Sequence, residues 1–542
     1  MQKGLILKVA AIGVVSGISN FLFLRLINYI IVLVMAGSYT AVDLSYILAF
    51  TLALIIAIWS RRQLAVRVIY SSQKIFWNFR NQIISIALNA NFAEFRKRRS
   101  DIQSALVFDV GVLTQASLNL IVFFTSTVTA IACLVYMGFL SLPLFLITLG
   151  VSALGIIVYQ VSTIKNNAQF AKTRDYETRF NFYFNSILNG FKEIKINSDN
   201  GDRILTEKIQ PIANESYKTN TTAFVGFLNN QTIGQVLFNV LIASILLVFS
   251  IRLGIKASTT INFLFILLYL LAAIEAIMVL LPGLMQARVS INRLVNLRKD
   301  IVVDHSGTDA TPLSRSEFRN IELDGINYQY KDANNETSFE IGPINLEIKK
   351  NDIVFIYGGN GSGKTTLVLT LLSLLEPHKG QVKFNGIPVN NDTVKKYKSM
   401  FSVVFNDFYL FDEFYSIRNL DVNKAAELIK TFEIEDKVSI TGNKFSTTDL
   451  STGQRKRLAL IVAILEEKPI IVMDEWAADQ DPHFRRKFYR EILPELKKQG
   501  FTIIAITHDD AYYRYADKLY KMEYGQLIDE SETMHQTVLA NA

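Results

Sequence analysis

Ile353-Val354-Phe355-Ile356-Tyr357 runs directly into Gly358-Gly359-Asn360-Gly361-Ser362-Gly363-Lys364-Thr365-Thr366, and a helical pattern from Leu367 to Leu375 follows. A short apolar strand, a glycine-rich turn ending in Gly-Lys-Thr and then a helix form the context that a phosphate-binding loop requires. Glycines let the backbone curl so that successive N–H groups point at phosphate oxygens, and the helix presents its positive end to them. In this reading Lys364 neutralises the outer phosphates, and Thr365 offers its hydroxyl to Mg²⁺.

Two further apolar strands are expected beyond this loop. Pro469 to Met473 ends in Asp474 and Glu475. Standing alone, such a pair reads as a surface helix cap. Downstream of a phosphate loop, Asp474 reads as the group that holds Mg²⁺ and Glu475 as the carboxylate that polarises the attacking water. Phe501 to Thr507 leads into His508, which stands at a strand's carboxyl end, where a γ-phosphate contact is expected. Between these motifs lies Leu450-Ser451-Thr452-Gly453-Gln454, followed by a basic helix from Arg455 to Ile464.

With that segment in place, the sequence resembles the ATP-binding cassette family, whose signature is Leu-Ser-Gly-Gly-Gln, and the order of motifs matches along the whole chain. The resemblance implies that two cassettes close head to tail, with Ser451, Gly453 and Gln454 of one chain reaching the γ-phosphate held by the other. It also implies a Mg²⁺ site at Thr365, Asp474 and Asn406, and an adenine-stacking aromatic at Tyr330. A strand tyrosine packing locally beside Tyr328 is the alternative for Tyr330. Three departures stand out. Asn406, in Val403-Val404-Phe405-Asn406-Asp407, replaces the family's glutamine and is one methylene shorter. The dimer loop reads Ala478-Asp479-Gln480-Asp481, without the usual serine. The interval from Asn406 to Leu450 is short, so a trimmed helical subdomain is expected.

These departures narrow the family. The run Asp474-Glu475-Trp476-Ala477-Ala478-Asp479-Gln480-Asp481-Pro482-His483-Phe484-Arg485-Arg486, with Leu410-Phe411-Asp412, is similar to bacterial half-transporters for cyclic, lasso and siderophore peptides. That resemblance implies an α-helical membrane domain of six transmembrane helices, the type IV exporter fold, joined to an α/β P-loop cassette and working as a homodimer. An amino-terminal cysteine protease domain, present in some peptide exporters, is not expected, because the first span begins within a few residues and the single cysteine lies in span three. Leader cleavage is accordingly expected to rest with another protein.

Composition agrees with a membrane protein. Half of the 542 residues are apolar and the mean hydropathy is +0.25, clumped into separate runs. The expected spans are Leu5 to Met35, Leu44 to Ser60, Leu118 to Leu140, Leu142 to Ile164, Thr232 to Ile251 and Thr260 to Leu281. This gives a membrane domain over 1–300, a linker over 301–318 and a cassette over 319–542. The stretches 61–117 and 165–231 each carry nine Lys and Arg, whereas the opposite side carries only Arg252 and Lys256. The positive-inside rule therefore sets both long loops and the amino terminus in the cytoplasm, and the resemblance implies a bacterial inner membrane with the cassette on its cytoplasmic side. Those loops are read as helices that continue out of the membrane, with apolar Ile75, Phe79, Ile83 and Ile84 at helical spacing. Asn91 to Phe95 and Asn189 to Lys195 are the expected tips.

The charge of +7 belongs to these loops, so nucleic acid is not an expected partner. Lone Cys133 and five histidines exclude an internal disulfide and a zinc site of the usual spacing. Inside the spans, Gln235 and Asn239 share one helix face, and Glu275 lies near the centre of span six. With Arg25 they are expected to line a polar cavity for peptide. Interhelical hydrogen bonding is the alternative for the amides, and outward snorkelling for Arg25. The expected function is ATP-driven export of a modified or cyclic peptide, or a siderophore-peptide precursor. The competing readings are a lipid or drug flippase and a non-transporting membrane ATPase sensor.

Overall fold

The computed structural model describes residues 3–35, 44–300, 316–331 and 337–532. Of the linker expected at 301–318, residues 301–315 lie outside this set. The described residues divide near residue 302 into two compact units.

The first unit is helical. Span helix one is Lys3–Met35, two Leu44–Leu88, three Phe92–Leu140, four Leu142–Asn189, five Ser198–Arg252 and six Ala257–Asp300. Helix two has 45 residues and therefore extends about 68 Å at ~1.5 Å per residue, far beyond a ~30 Å hydrocarbon core. Its polar second half is the expected cytoplasmic continuation. Five of the six are long and apolar enough to cross a membrane; of helix four, the apolar part that can be described is Leu142–Gly155. Helices three and four are split at Ser141, whose extended backbone (φ −161°) ends one helix while a proline in the first turn opens the next. At the expected tips, Phe191–Ile196 is a short separate helix, whereas Phe92 starts helix three itself.

Helices one, two, three and six pack on one another, and four and five run together as a pair. One apolar cluster joins Cys133, Met137 and Leu144 to Phe238, Leu241 and Ile245 of helix five and Phe263 to Leu270 of helix six. A second joins Ile83, Ile102, Leu113 and Leu294 in the polar extensions. Phe79 packs against that second cluster, but Ile84 is exposed, which corrects the apolar face expected there.

Beside the second cluster, at the same level of helices three and six, lies a buried ionic group. Asp109 has no exposed side-chain surface, and its Oδ1 accepts from Ser290 Oγ (2.8 Å) and pairs with Arg174 NH2 (2.9 Å). Arg174 also pairs with Glu177 and stacks over Phe108. Arg293 donates to Thr178 Oγ1 at 3.0 Å and reaches Asp101 at 3.4 Å. Helix three widens by one residue per turn over Ala105–Asp109, the turn that carries Asp109 to this junction with helices four and six.

The second unit is α/β. A sheet of β1 (Asn320–Lys331), β2 (Thr337–Lys349), β4 (Lys379–Phe384) and β5 (Ile387–Pro388) has the order β2-β1-β4-β5 and is antiparallel. The larger sheet has the order β12-β11-β3-β10-β9-β6, with β3 Ile353–Gly358, β6 Phe401–Val404, β9 Ile470–Asp474, β10 Thr502–Ile506, β11 Lys518–Glu523 and β12 Gln526–Asp529. Its strands are parallel except β12. Side chains alternate along β3: Val354 and Ile356 join the core between the sheets, while Ile353 and Phe355 join a second core under the helices. Both faces are covered, so β9 and β10 are buried throughout and apolar except for Asp474 and Thr502. Between Asn406 and Leu450 the chain forms one ten-residue helix, Val422–Thr431, and the hairpin β7 (Ile440–Thr441) and β8 (Lys444–Phe445).

Replacing Arg174 by Met strands the Asp109 carboxylate in a buried site and should destabilise the protein by about 3–5 kcal/mol. The readout is the melting temperature of the detergent-solubilised chain, and Asp109→Leu in the same chain should restore most of the loss. An Arg174→Met protein as heat-resistant as its parent would show that the network contributes no stability.

Candidate active site

The geometry of the site begins with strand register. Ile506 of β10 is level with Ile356 of β3 on one side and with Asp474 of β9 on the other. β9 and β10 therefore end together, β3 runs on two residues to Gly358, and their onward segments gather at one edge of the sheet, the carboxyl edge at which parallel sheets carry their ligands. The loop 358–363 comes after β3, Glu475 after β9, and Thr507-His508 after β10. Two backbone bonds hold the edge, Thr507 N–H to Ile356 O and Glu475 N–H to Ile506 O, each 3.1 Å. Val404 of β6 pairs with Met473 of β9, which brings Asn406 beside Glu475.

The loop has the shape its glycines predict. Gly358 (φ +151°) lies so close to the neighbouring strand that a Cβ would stand 2.1 Å from Met522 O. Gly363 (φ +106°) caps the helix Lys364–Leu371, and a Cβ there would strike Ile341. Lys364 Nζ donates to the carbonyls of Gly358 (2.9 Å) and Gly359 (3.0 Å). Ser362 Oγ is buried without a protein partner, whereas Gly359, Asn360, Gly361 and Thr365 are exposed along the loop and Thr366 is buried in the helix. An unpartnered hydroxyl inside a curl of backbone amides, with a lysine across its mouth, fits a polyphosphate. The exposed Thr365 hydroxyl and the Asp474 carboxylate supply the hard oxygen donors that suit Mg²⁺.

Asp474 is 5% exposed. Burial and the neighbouring Glu475 carboxylate raise its pKa to about 6, opposed by Lys456 and Lys364. Glu475 adopts the left-handed conformation (φ +49°), an unfavourable state for a side chain of its length that active sites commonly hold. One of its oxygens is 3.3 Å from His508 Nε2 and the other accepts from Asn406 Nδ2 at 3.3 Å. The oxygen of Asn406 that was expected to approach Mg²⁺ instead accepts from Lys456 Nζ at 3.0 Å.

Ser451 caps the helix Thr452–Leu465 through a reciprocal box, its Oγ accepting from Gln454 N–H and Gln454 Oε1 accepting from Ser451 N–H. Ser451 and Thr452 face solvent at the helix start. Behind them the helix is fixed to the dimer loop. A Cβ on Gly453 would stand 2.6 Å from Asp479 O, Gln480 Nε2 donates to Gly453 O (3.1 Å), and Arg457 binds Gln480 (2.8 Å) and Asp481 (2.6 Å). Gln480, two residues beyond Ala478 where the usual serine is absent, is thus a contact within the chain. Lys456, Arg457 and Gln480 were not selected from the sequence. The available signal was Lys456-Leu460-Ile464 at four-residue spacing on the buried face of that helix.

Tyr330 packs edge-on against Tyr328 at 5.1 Å, and Tyr328 in turn against His378. In the membrane unit Gln235 Nε2 donates to Glu275 Oε1 at 2.7 Å, joining spans five and six, while Asn239 is exposed. Arg25 stacks over Tyr136 and lines a separate cavity of about 770 Å³ with Asn28, Tyr29 and Asn262. Gln235, Asn239 and Glu275 do not line that cavity, so the four residues expected to share one site are not brought together in the single chain.

Residues 341–478 match the model of the ABC transporter family. Over 96% of its length the chain is 29% identical to the ATP-binding protein SyrD of Pseudomonas syringae pv. syringae, covering 93% of that protein. It is 30% identical to the energy-coupling factor transporter ATP-binding protein EcfA2 of Streptococcus sanguinis over 39% of this chain and 81% of that one. Among solved structures, a bacterial Atm1-family ABC exporter with ATP bound superposes with a TM-score of 0.82, at 13% identity, over 99% of this chain and 96% of the other.

Gly453→Ala introduces a methyl against Asp479 O and should lower ATP turnover about tenfold or more, since overpacking a close contact costs about 1–3 kcal/mol. ATP affinity should stay near the parent value because the phosphate loop is untouched. Phosphate release and equilibrium nucleotide binding check this, and unchanged turnover would mean that the seam tolerates separation.

Proposed function

Because the chain belongs to the ABC transporter family and has an exporter's fold, we propose that it expels a modified or cyclic peptide, or a siderophore-peptide precursor, from the cytoplasm as a homodimer. Its membrane unit and transport ATPase lie in one polypeptide, a multi-pass protein of the bacterial inner membrane in this reading. The observation that carries the proposal is that one chain has both faces of a composite site. The carboxyl edge of the larger sheet supplies Lys364, Asp474, Glu475 and His508, and the solvent-facing start of the signature helix supplies Ser451, Gly453 and Gln454. Two identical chains, set head to tail, would complete two sites.

Each group has a distinct task. The loop amides from Gly358 to Thr366 and the Lys364 ammonium bind the phosphates of ATP, and Tyr330 stacks on adenine. Thr365 and Asp474 would hold Mg²⁺, which would supply positive charge to offset that of the phosphates. Glu475 accepts a proton from the attacking water, and His508, 3.3 Å away, holds that carboxylate toward the γ-phosphate. Ser451 Oγ and the signature amides of the second chain close over the γ-phosphate from the opposite side. ATP binds the closed pair more tightly than the open pair, so it shifts the cassettes together, and hydrolysis removes that difference. The long cytoplasmic helices carry the movement to the spans.

The peptide reading is supported by the run Asp474–Arg486 and its resemblance to bacterial half-transporters for cyclic, lasso and siderophore peptides. Within the bundle, the Gln235–Glu275 pair is a polar feature of the kind that marks a substrate path.

Glu475→Gln should bind ATP normally yet turn over about 10²–10³-fold more slowly, measured as phosphate release from the full chain in nanodiscs; near-normal turnover would remove Glu475 from this role. In inverted vesicles, Glu275→Gln should reduce both peptide uptake and peptide-stimulated ATPase. Retention of both activities would take Glu275 out of the substrate path, and stimulation by lipid alone would favour a flippase.

A further inference from the structure

One cation of the second unit is buried more deeply than any catalytic role assigned above requires. Lys456, on the signature helix, is 1% exposed. An ammonium has three donors and no acceptor, and burying it is strongly unfavourable unless each donor is met. All three are met. Nζ donates to Asn406 Oδ1 at 3.0 Å and to the Glu475 carbonyl at 2.9 Å, and it pairs with Asp479 Oδ2 at 2.7 Å. The backbone of the same residue is tied as well, its carbonyl accepting from Trp476 Nε1 at 2.7 Å. An apolar side chain would fill this space without needing three acceptors, so the ammonium specifies positions rather than volume.

The positions it specifies are those of the hydrolytic centre. Because Lys456 can only donate, Asn406 must turn its oxygen toward it, and this leaves Asn406 Nδ2 to donate to Glu475 Oε2. The second bond grips the carbonyl of Glu475, whose left-handed backbone needs outside support to persist. The third holds Asp479, the residue whose carbonyl meets Gly453. We propose that Lys456 is a positioning residue for ATP hydrolysis: it aims the Glu475 carboxylate, through Asn406 and through the backbone of Glu475 itself, while the signature helix is seated. Asn406 then serves as a hydrogen-bond donor to that carboxylate. Asn406 and Asp479, each in a segment that departs from the family pattern, become two acceptors of one lysine.

The inference rests on the reading of Glu475 as the group that polarises the attacking water. The experiment uses the full chain in nanodiscs and measures phosphate release and equilibrium binding of MgATP. Lys456→Gln and Lys456→Met should each lower kcat about tenfold or more while the Kd for MgATP stays within about twofold, since the lost interaction serves turnover rather than ground-state binding. Turnover within about twofold of the parent in either variant would overturn the proposal. So would a loss of MgATP affinity in proportion to the loss of kcat. Should the Lys456 variants fail to fold, the partners give the answer: Asn406→Ala and Asp479→Asn should combine on kcat less than multiplicatively, because both act through one ammonium. Multiplicative effects would overturn the proposal. Glu475→Gln is run in parallel. Normal turnover there removes the underlying reading, whereas a slow Glu475→Gln beside an unimpaired Lys456→Gln removes this inference alone.

Discussion

Everything at the nucleotide edge depends on three parallel strands held in one register. With Ile356, Ile506 and Asp474 in register, the chain leaving each strand has nowhere to go but the same side of the sheet. A slip of one residue in any of these strands would move its apolar side chains to the opposite face, so two fully covered faces hold the register firmly. The placement of Lys364, Glu475 and His508 thus stems from core packing some distance away. Polar chemistry at the rim is set by the two apolar cores packed beneath it.

Both units handle buried charge in the same way. Asp109, Lys456 and Arg457 are nearly or fully enclosed, and each lies where three or more elements meet. Arg457 illustrates the economy of such a junction: its guanidinium binds Gln480, Asp481 and the Phe432 carbonyl while lying 3.5 Å over the ring of Phe484. Ionic groups of this kind add little to net stability, but an element cannot move without breaking several directional bonds together. They mark the places where the fold is fastened, in the membrane unit as in the ATPase.

Much of this was readable in the residues. Gly358 to Thr366, Asp474-Glu475 and Leu450 to Gln454 announce themselves because phosphate and metal chemistry demands particular residue types at short spacing, which a linear pattern preserves. The membrane helices were equally legible, since length and apolarity are one-dimensional properties. What the sequence hid is long-range pairing. Nothing local to Lys456 indicates that Asn406 and Asp479 stand around it, and the Asp109–Arg174 pair joins residues far apart in the chain. The polar residues of the spans show the other limit. Helical spacing put Gln235 and Asn239 on one face, yet partner choice depends on rotation and depth, so Gln235 meets Glu275 while Arg25 turns to Tyr136.

The cluster that joins helices three, four, five and six encloses the chain's lone thiol, Cys133, which is 1% exposed among Met137, Leu144 and Phe263. A sulfhydryl walled in by hydrocarbon is shielded from aqueous oxidants and alkylating reagents, since these attack the thiolate at accessible sites. The natural polypeptide is therefore close to its own blank for spin or dye labelling. A cysteine introduced on either unit would report alone, without the core residue first having to be replaced.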